Sequence, residues 1–221
     1  MSRSDFSEVT AQKEPKRDST RRRIVSRAAK ILRERGLSGS GINDVMAAAG
    51  LTHGAFYAHF QNKTALVKDA VNQAFDEAKH WLFGTVGERR GREWIISASK
   101  RYLRREHVEN PGAGCVIVAL SADLARSDAD VRTLYTERVQ NILSEITYRI
   151  GDDSLADDDK RMRAVALFSM WVGVLTVARP LTDPRLVDEL LRCAQMMCEE
   201  MADKVPSRDV FTENGPAHSV T

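Results

Sequence analysis

Residues 40–63 read SGINDVMAAAGLTHGAFYAHFQNK, and this stretch decides the fold. Ile42, Val45, Met46 and Ala49 share one face of a short helix, which ends at Gly50. Glycine takes the left-handed conformation that closes a helix with no Cβ penalty. Leu51 can then pack back on the helix it leaves, and Thr52 can cap the N–H groups of the next one. That next helix carries Phe56 and Phe60 at i and i+4. Two short helices joined by a short glycine-containing turn are the signature of a helix-turn-helix.

The second of these helices is odd as a structural element. It opens His53-Gly54-Ala55, and glycine inside a helix costs about 0.5–1 kcal/mol relative to alanine. A bare first turn lets the backbone come close to DNA in the major groove. With Phe56 and Phe60 facing inward, His53, Tyr57 and Gln61 lie on another face, with Ala55 and His59 between. A tyrosine exposed there can hydrogen-bond a phosphate or touch a thymine methyl. Upstream, Arg21, Arg22 and Arg23 open a helix whose apolar positions Ile24, Ala28, Ile31 and Leu32 share a face and which Gly36 closes. Cations at a helix N-terminus oppose its macrodipole, a cost that a nearby polyanion reverses. Downstream, Asn62 caps a helix from about Lys63 to Phe83, with Leu66, Ala70, Ala74 and Ala78 in register. Lys63, beside the free N–H groups of that terminus, makes an anion site and is expected to clamp a phosphate. Each of these residues has a plainer alternative: a solvated side chain or ordinary packing.

The charge distribution points the same way. Residues 1–70 carry 13 Lys/Arg against 7 Asp/Glu, whereas 71–221 carry 20 against 24, within a net charge of +2 for all 221 residues. A basic head on an acidic body suggests that the head meets a polyanion. At 43% hydrophobic and 29% charged, the composition excludes collagen-like, coiled-coil and fully disordered chains. Three cysteines, an odd number, argue against a disulfide scaffold and for a reducing compartment, the cytoplasm. The first 20 residues have no apolar signal region. The apolar run 164–178 is shorter than the ~20 residues of a bilayer span and reads as a core helix. The expected fold is all-α, with about nine helices: a disordered arm (1–18), a three-helix DNA-binding domain (19–66), a helical effector-binding and dimerisation domain (67–205) and a disordered tail (206–221). Helices are expected at roughly 92–107, 115–126, 129–150, 157–178 and 185–204, with a break at Pro111-Gly112-Ala113-Gly114.

At this point the residues carry a resemblance. Residues ~20–66 resemble the DNA-binding domain of the tetracycline-repressor (TetR) family of bacterial regulators. The matching features are Ala28-Ala29-Lys30-Ile31-Leu32, Gly36, Ile42-Asn43-Asp44-Val45, Ala48-Ala49-Gly50-Leu51-Thr52, Phe56-Tyr57-Ala58-His59-Phe60, and Lys63 with Leu66. The combined pattern is specific, although it covers only about a fifth of the chain. The resemblance implies a homodimer on double-stranded operator DNA, a pocket for a small-molecule effector in the body, and repression relieved by that effector. It further implies a recognition helix at 53–60, bases read near His53, Gly54, Ala55 and Tyr57, and phosphates held by Thr52, Tyr57, His59 and Lys63. Gly41 stands where the family usually has a Thr or Ser that caps the second helix and touches phosphate; Ser40 is the expected substitute.

In the body, helix 164–178 is apolar on two faces. Val165, Phe168, Val172 and Leu175 form one, and Leu167, Trp171, Val174 and Ala178 the other. A helix apolar all round must be covered on all sides, so one face is expected to meet a second chain. Leu186, Leu190, Ala194 and Met197 of the last helix are expected to join Val165, Phe168, Val172 and Leu175 in a four-helix interface about a two-fold axis. Trp81, Trp94, Tyr102, Cys115, Phe168 and Trp171 are the pocket candidates, with plain core as the alternative for each. Cys115 follows Gly114 at a helix start, where a thiol can be reactive or simply a small buried residue. Cys193 and Cys198 are five apart and make a poor metal pair; Asp152, Asp153, Asp157, Asp158 and Asp159 read as a solvated loop and helix start. No metal or cofactor site is expected. An enzyme is the rival from another class, but Gly36-Leu37-Ser38-Gly39-Ser40 fails the nucleophile-elbow pattern at its last position, and no Walker loop, dinucleotide loop or His-Glu-x-x-His occurs. An activator, or a DNA-binding protein without a ligand, remains the nearer alternative.

Overall fold

The glycine turns and apolar stripes of the sequence appear in the computed structural model, which describes residues 16–84, 86–151 and 156–203. Nine α-helices run in order: α1 (Lys16–Arg35), α2 (Ile42–Ala48), α3 (Lys63–Lys79), α4 (Gly91–Tyr102), α5 (Arg105–Glu109), α6 (Val116–Leu124), α7 (Ala129–Ile150), α8 (Asp157–Ala178) and α9 (Pro184–Asp203). Between α2 and α3 lies a 3-10 turn, His53–Ala58; α3 runs into a π-turn, His80–Gly84; a second 3-10 turn, Pro111–Ala113, precedes α6. No strand occurs among the described residues, so the fold is all-α.

The head is α1, α2 and the first 3-10 turn, closed by the first half of α3. α1 buries Ile24, Val25, Ala28, Ala29, Ile31 and Leu32, against α3, which buries Leu66, Val67, Ala70 and Val71. In the body, α8 lies against α7, α9 and α6. Its buried stripe is Ala164, Leu167, Trp171, Leu175 and Ala178, spaced as one helix face. By length and composition alone α8 matches a membrane span, but it opens on Asp157, Asp158 and Asp159 and packs as a core helix.

Several boundaries differ from the sequence expectation. α1 begins at Lys16, so residues 16–18 are helical and Arg21, Arg22 and Arg23 sit in its second turn, away from the macrodipole's end. The remainder of the expected arm and tail, and Asp152 and Asp153, lie outside the described residues. The helix expected to reach Phe83 stops at Lys79, where the hydrogen bonding widens to the π pattern. The helix expected over 92–107 is two, because Leu103 leaves the helical region (φ −89°, ψ 65°). Leu175 (0% exposed) and Ala194 (5%) belong to the chain's own core, so neither is available to a partner.

The break after α4 is held by His107. Its Nδ1–H donates to the Tyr102 carbonyl (2.8 Å) and its Nε2 accepts from the Cys115 N–H (2.9 Å), so the neutral ring satisfies both sides. Burial, first, and the nearby Arg179 and Arg104 cations lower its pKa to about 4, against the raising effect of the Tyr102 carbonyl. The unfolded chain then binds the extra proton first, and stability falls as pH drops from about 6.5 toward 4. The imidazole's share of that loss is at most about 3 kcal/mol. In thermal melts across this range, the Tm advantage of the native chain over His107→Gln should shrink as pH falls. A constant advantage would remove His107 as the cause.

Candidate nucleic-acid interface

The turn between α2 and the 3-10 segment is built as its sequence suggests. Gly50 has φ +67°. Its N–H donates to Ala47 and the Leu51 N–H to Met46, both at 2.9 Å, the paired bonds of a Schellman ending. Beneath the exposed face, Phe56 is fully buried and stacks on Phe60 with ring centres 5.5 Å apart. This fixes the orientation of every outward side chain on the segment. Tyr57 is 66% exposed, and His53 and Gly54 are exposed beside it. A Cβ at Gly54 would meet nothing within 4 Å, so nothing in this chain requires glycine there. The segment expected as the recognition helix over 53–60 is a 3-10 turn over His53–Ala58, tighter and shorter than that expectation.

Neighbouring residues brace this surface, and two side chains expected to contact DNA, Arg21 and Ser40, are bonded within the fold. Arg21 pairs with Asp69 at 2.5 Å and lies over the Phe60 ring at 4.7 Å, latching α1 to α3. Arg17, which sequence reasoning missed, donates to the Ala58 carbonyl at 3.0 Å. Asn43 hydrogen-bonds His53 across the turn. Ser40 is buried and its hydroxyl donates to the Gly36 carbonyl (2.7 Å), so it does not replace a capping Thr or Ser. Gly41 is the cap residue of α2, and its N–H donates to Asp44 Oδ2 at 3.1 Å. Thr52 occupies the cap position of the 3-10 turn but makes no side-chain cap bond. Asn62 caps α3 as expected, accepting from Ala65 N–H at 2.8 Å. The Lys63 ammonium is exposed and donates to the Leu37 carbonyl at 3.2 Å. His59 is half-buried, with Nδ1 lacking a partner. Arg22 and Arg23 are exposed on α1.

The head is joined to the body by more than α3. Asp123, in α6, accepts from the Leu37 N–H at 2.8 Å, beside Gly36. Arg33 of α1, 7% exposed, donates to the Gly112 carbonyl and to Glu77 Oε2, both at 2.7 Å. α6 therefore has one end on the head. Its other end, with Cys115 and Ile117, lines a small cavity in the body. Trp81, Phe83, Tyr102, Phe168 and Trp171 complete most of that wall, and the free volume is about 20 Å³. Five of the six pocket candidates converge there. Trp94 does not: it is fully buried behind the wall, between Phe83 (6.0 Å) and Trp171 (6.1 Å).

Residues 24–70 match the family described as bacterial regulatory proteins, tetR family. The chain is 27% identical over 117 residues to the HTH-type transcriptional repressor DhaR of Mycobacterium sp. (strain GP1), covering 53% of this chain and 58% of that protein. Among solved structures, a TetR-family regulator from Cytophaga hutchinsonii superposes with a TM-score of 0.73 at 20% identity, over 86% of this chain and 98% of that one. AibR, solved with isovaleryl coenzyme A and operator DNA, superposes with a TM-score of 0.59 at 16% identity, over 80% and 97%. At such identities the structural likenesses establish the fold. The relatives are transcriptional regulators rather than enzymes.

Two glycines of the motif should separate by thermal melting. Gly50→Ala forces a side chain into the left-handed region and should cost about 1–2 kcal/mol. Gly54→Ala has open space and should leave stability equal or raise it by up to about 1 kcal/mol. Equal destabilisation by both would contradict the geometry of the turn.

Proposed function

We propose that this chain, which belongs to the tetR family of bacterial regulatory proteins, is a sequence-specific transcriptional repressor that binds its operator as a homodimer and is released by a small molecule. The observation that carries this reading is the recognition segment: an exposed His53-Gly54-Tyr57 face, bare at Gly54, on a rigid Phe56–Phe60 base. In this reading His53, Gly54, Ala55 and Tyr57 meet base edges. Thr52, Tyr57, His59 and Lys63 hold phosphates, aided by Arg22 and Arg23 on α1. The cytoplasm is the compartment this function requires.

Dimerisation rests on the uncovered apolar surface of α8 and α9. Val165, Val177, Leu186, Met196 and Met197 are large, apolar and 40–57% exposed, and Phe168, Val172 and Leu190 lie half-buried on the same pair of helices. Exposed apolar side chains gathered on two neighbouring helices are the kind of surface that an interaction covers. A two-fold axis through it would carry two recognition segments to half-sites about 34–36 Å apart or a multiple of that.

The ligand response is proposed to use the two elements that touch both cavity and head. α3 runs from Lys63 in the head to the π-turn, whose Trp81, Leu82 and Phe83 wall the cavity. α6 runs from the cavity to Asp123 at the end of α1. A cavity of about 20 Å³ has room for roughly one water molecule, so a larger occupant must displace its walls. A ligand that favours the displaced arrangement shifts the equilibrium by its differential affinity. A coupling of about 1–3 kcal/mol gives a roughly 5–150-fold change in DNA affinity.

The direct experiment is binding of the purified protein to DNA from upstream of its own reading frame, against unrelated DNA, at two salt concentrations. A site-specific preference with steep salt dependence is expected. Gly54→Ala, though folded, should lose at least about fivefold in specific affinity; Lys63→Ala should weaken all DNA alike and lower the salt slope by about one. Equal affinity for both DNAs in the native chain would overturn the reading. Separately, Val177→Asp combined with Met197→Asp should sediment as a monomer and lose tight operator binding. A dimer that survives both charges would place the interface elsewhere.

A further inference from the structure

In and beside the cavity stand polar groups that the fold leaves incompletely satisfied. Tyr102, 4% exposed, is a wall residue whose hydroxyl has no oxygen or nitrogen partner; beside it stands the Cys115 thiol, a weak acceptor. Its ring is immobilised, stacked on Trp171 at 5.1 Å and edge-on to His107 at 4.6 Å. A buried hydroxyl without a strong partner costs free energy that a well-formed core avoids. Burial, and next the Cys115 thiol beside it, raise the phenol's pKa, so at neutral pH it is a hydrogen-bond donor.

A cation stands close by. Arg179, the residue after α8, reaches the His107 carbonyl through Nη2 at 3.4 Å, and a Cβ on Gly114 would fall 2.8 Å from the same nitrogen. That puts the guanidinium at the start of α6, next to Cys115. Its Nε is buried with no partner, and no carboxylate pairs with it among the described residues. Burial lowers its pKa, the mark of a charge held where water solvates it poorly. Buried charges are normally paired. The Tyr102 hydroxyl thus stands in the wall of a chamber whose other walls are Trp81, Phe83, Ile117, Ile142, Phe168 and Trp171, and the half-buried Arg179 guanidinium, which lines the neighbouring groove with Val108 and Pro111, borders it at Cys115.

We propose that this chamber binds a small apolar carboxylic acid, with its carboxylate on the Tyr102 hydroxyl and the Arg179 guanidinium and its hydrocarbon or aromatic part among the tryptophan and phenylalanine rings. The proposal rests on the reading of the chain as a ligand-released repressor and names the chemistry of the releasing ligand. A carboxylate supplies the strong acceptor that Tyr102 lacks and the counter-charge that Arg179 lacks. A neutral isostere supplies only the first. Specificity of this kind is strong, because a site built around buried donors rejects a ligand that leaves them unpaired.

Trp81 and Trp171 line the chamber, so tryptophan fluorescence of the full chain reports occupancy. Benzoate, phenylacetate and 3-phenylpropionate would each be titrated against the matching primary amide. At least one acid should bind, and at least tenfold more tightly than its amide. Tyr102→Phe removes a hydroxyl without an oxygen or nitrogen partner, so the variant should melt within a few degrees of the native chain. It should nonetheless bind the acid at least fivefold more weakly, as should Arg179→Gln. No binding by any of the acids, equal affinity for acid and amide, or undiminished affinity in both variants would overturn the proposal. Specific DNA binding without ligand, measured in parallel, should persist in both variants. Release of that DNA by the amides as readily as by the acids would sink the carboxylate assignment and leave the ligand-released repressor standing. Absence of specific DNA binding in the native chain would remove the parent reading itself.

Discussion

The packing of α1 on α3 is the constraint on which the rest depends. One helix, α3, packs in both the head and the body. Its Leu66, Val67 and Ala70 complete the head against α1, and its Ala74 and Phe75 are buried farther along toward the π-turn. The Arg21–Asp69 pair and the Arg33–Glu77 pair fasten α1 to α3 along the same seam. Buried at a close-packed interface, α1 cannot slide on α3 without opening the core, so the head follows α3. The orientation of the recognition segment is inherited in turn, because Phe56 and Phe60 lock it to the same core.

A second tie makes the head's position depend on the body. The Leu37 N–H at the end of α1 is satisfied by Asp123 of α6, and the Arg33 guanidinium by the Gly112 carbonyl. Each bond alone contributes about 1–3 kcal/mol, since a charged group takes part. Their arrangement matters more than their sum. α6 and the Pro111–Ala113 turn hold the end of α1, while α3 holds its side, and both run from the head to the cavity wall. The cavity thus sits where two connecting elements meet. The π-turn at His80–Gly84 lies in that wall, and such turns are frequent at functional sites because they perturb the regular hydrogen bonding of a helix.

Much of this was legible in the sequence, for identifiable reasons. Glycines that need a left-handed backbone, Gly36 and Gly50, announce helix ends through local chemistry, and both ends lie where expected. α7 and α8 carry long apolar stripes and their bounds match the expectation. The all-helical class and the helix-turn-helix follow from the same two signals. The sequence could not reveal which polar side chains are consumed by the fold. Arg21 and Ser40 have the chemistry of phosphate contacts, yet Arg21 faces Asp69 and Ser40 bonds Gly36. Asp69 lies 48 residues from Arg21 and only the tertiary arrangement supplies it, whereas the Ser40 bond is a local one, four residues back, that competes with an outward role. Leu175 and Trp94 were misplaced for a related reason: helical periodicity places a residue on a face but does not say what the face meets. The break at Leu103 and the π-turn after Lys79 carry no glycine or proline signal at the point of change, and the tertiary contacts of His107 and Trp81 mark them instead.

The measurement that tests the account most directly is amide hydrogen exchange of the intact protein, free and bound to a duplex carrying its preferred site. The account predicts new protection over residues 52–63 and at the exposed N-terminal turns of α1, with the outer faces of α4 and α5 unchanged. Protection concentrated on the body, with residues 52–63 exchanging as in the free protein, would contradict it.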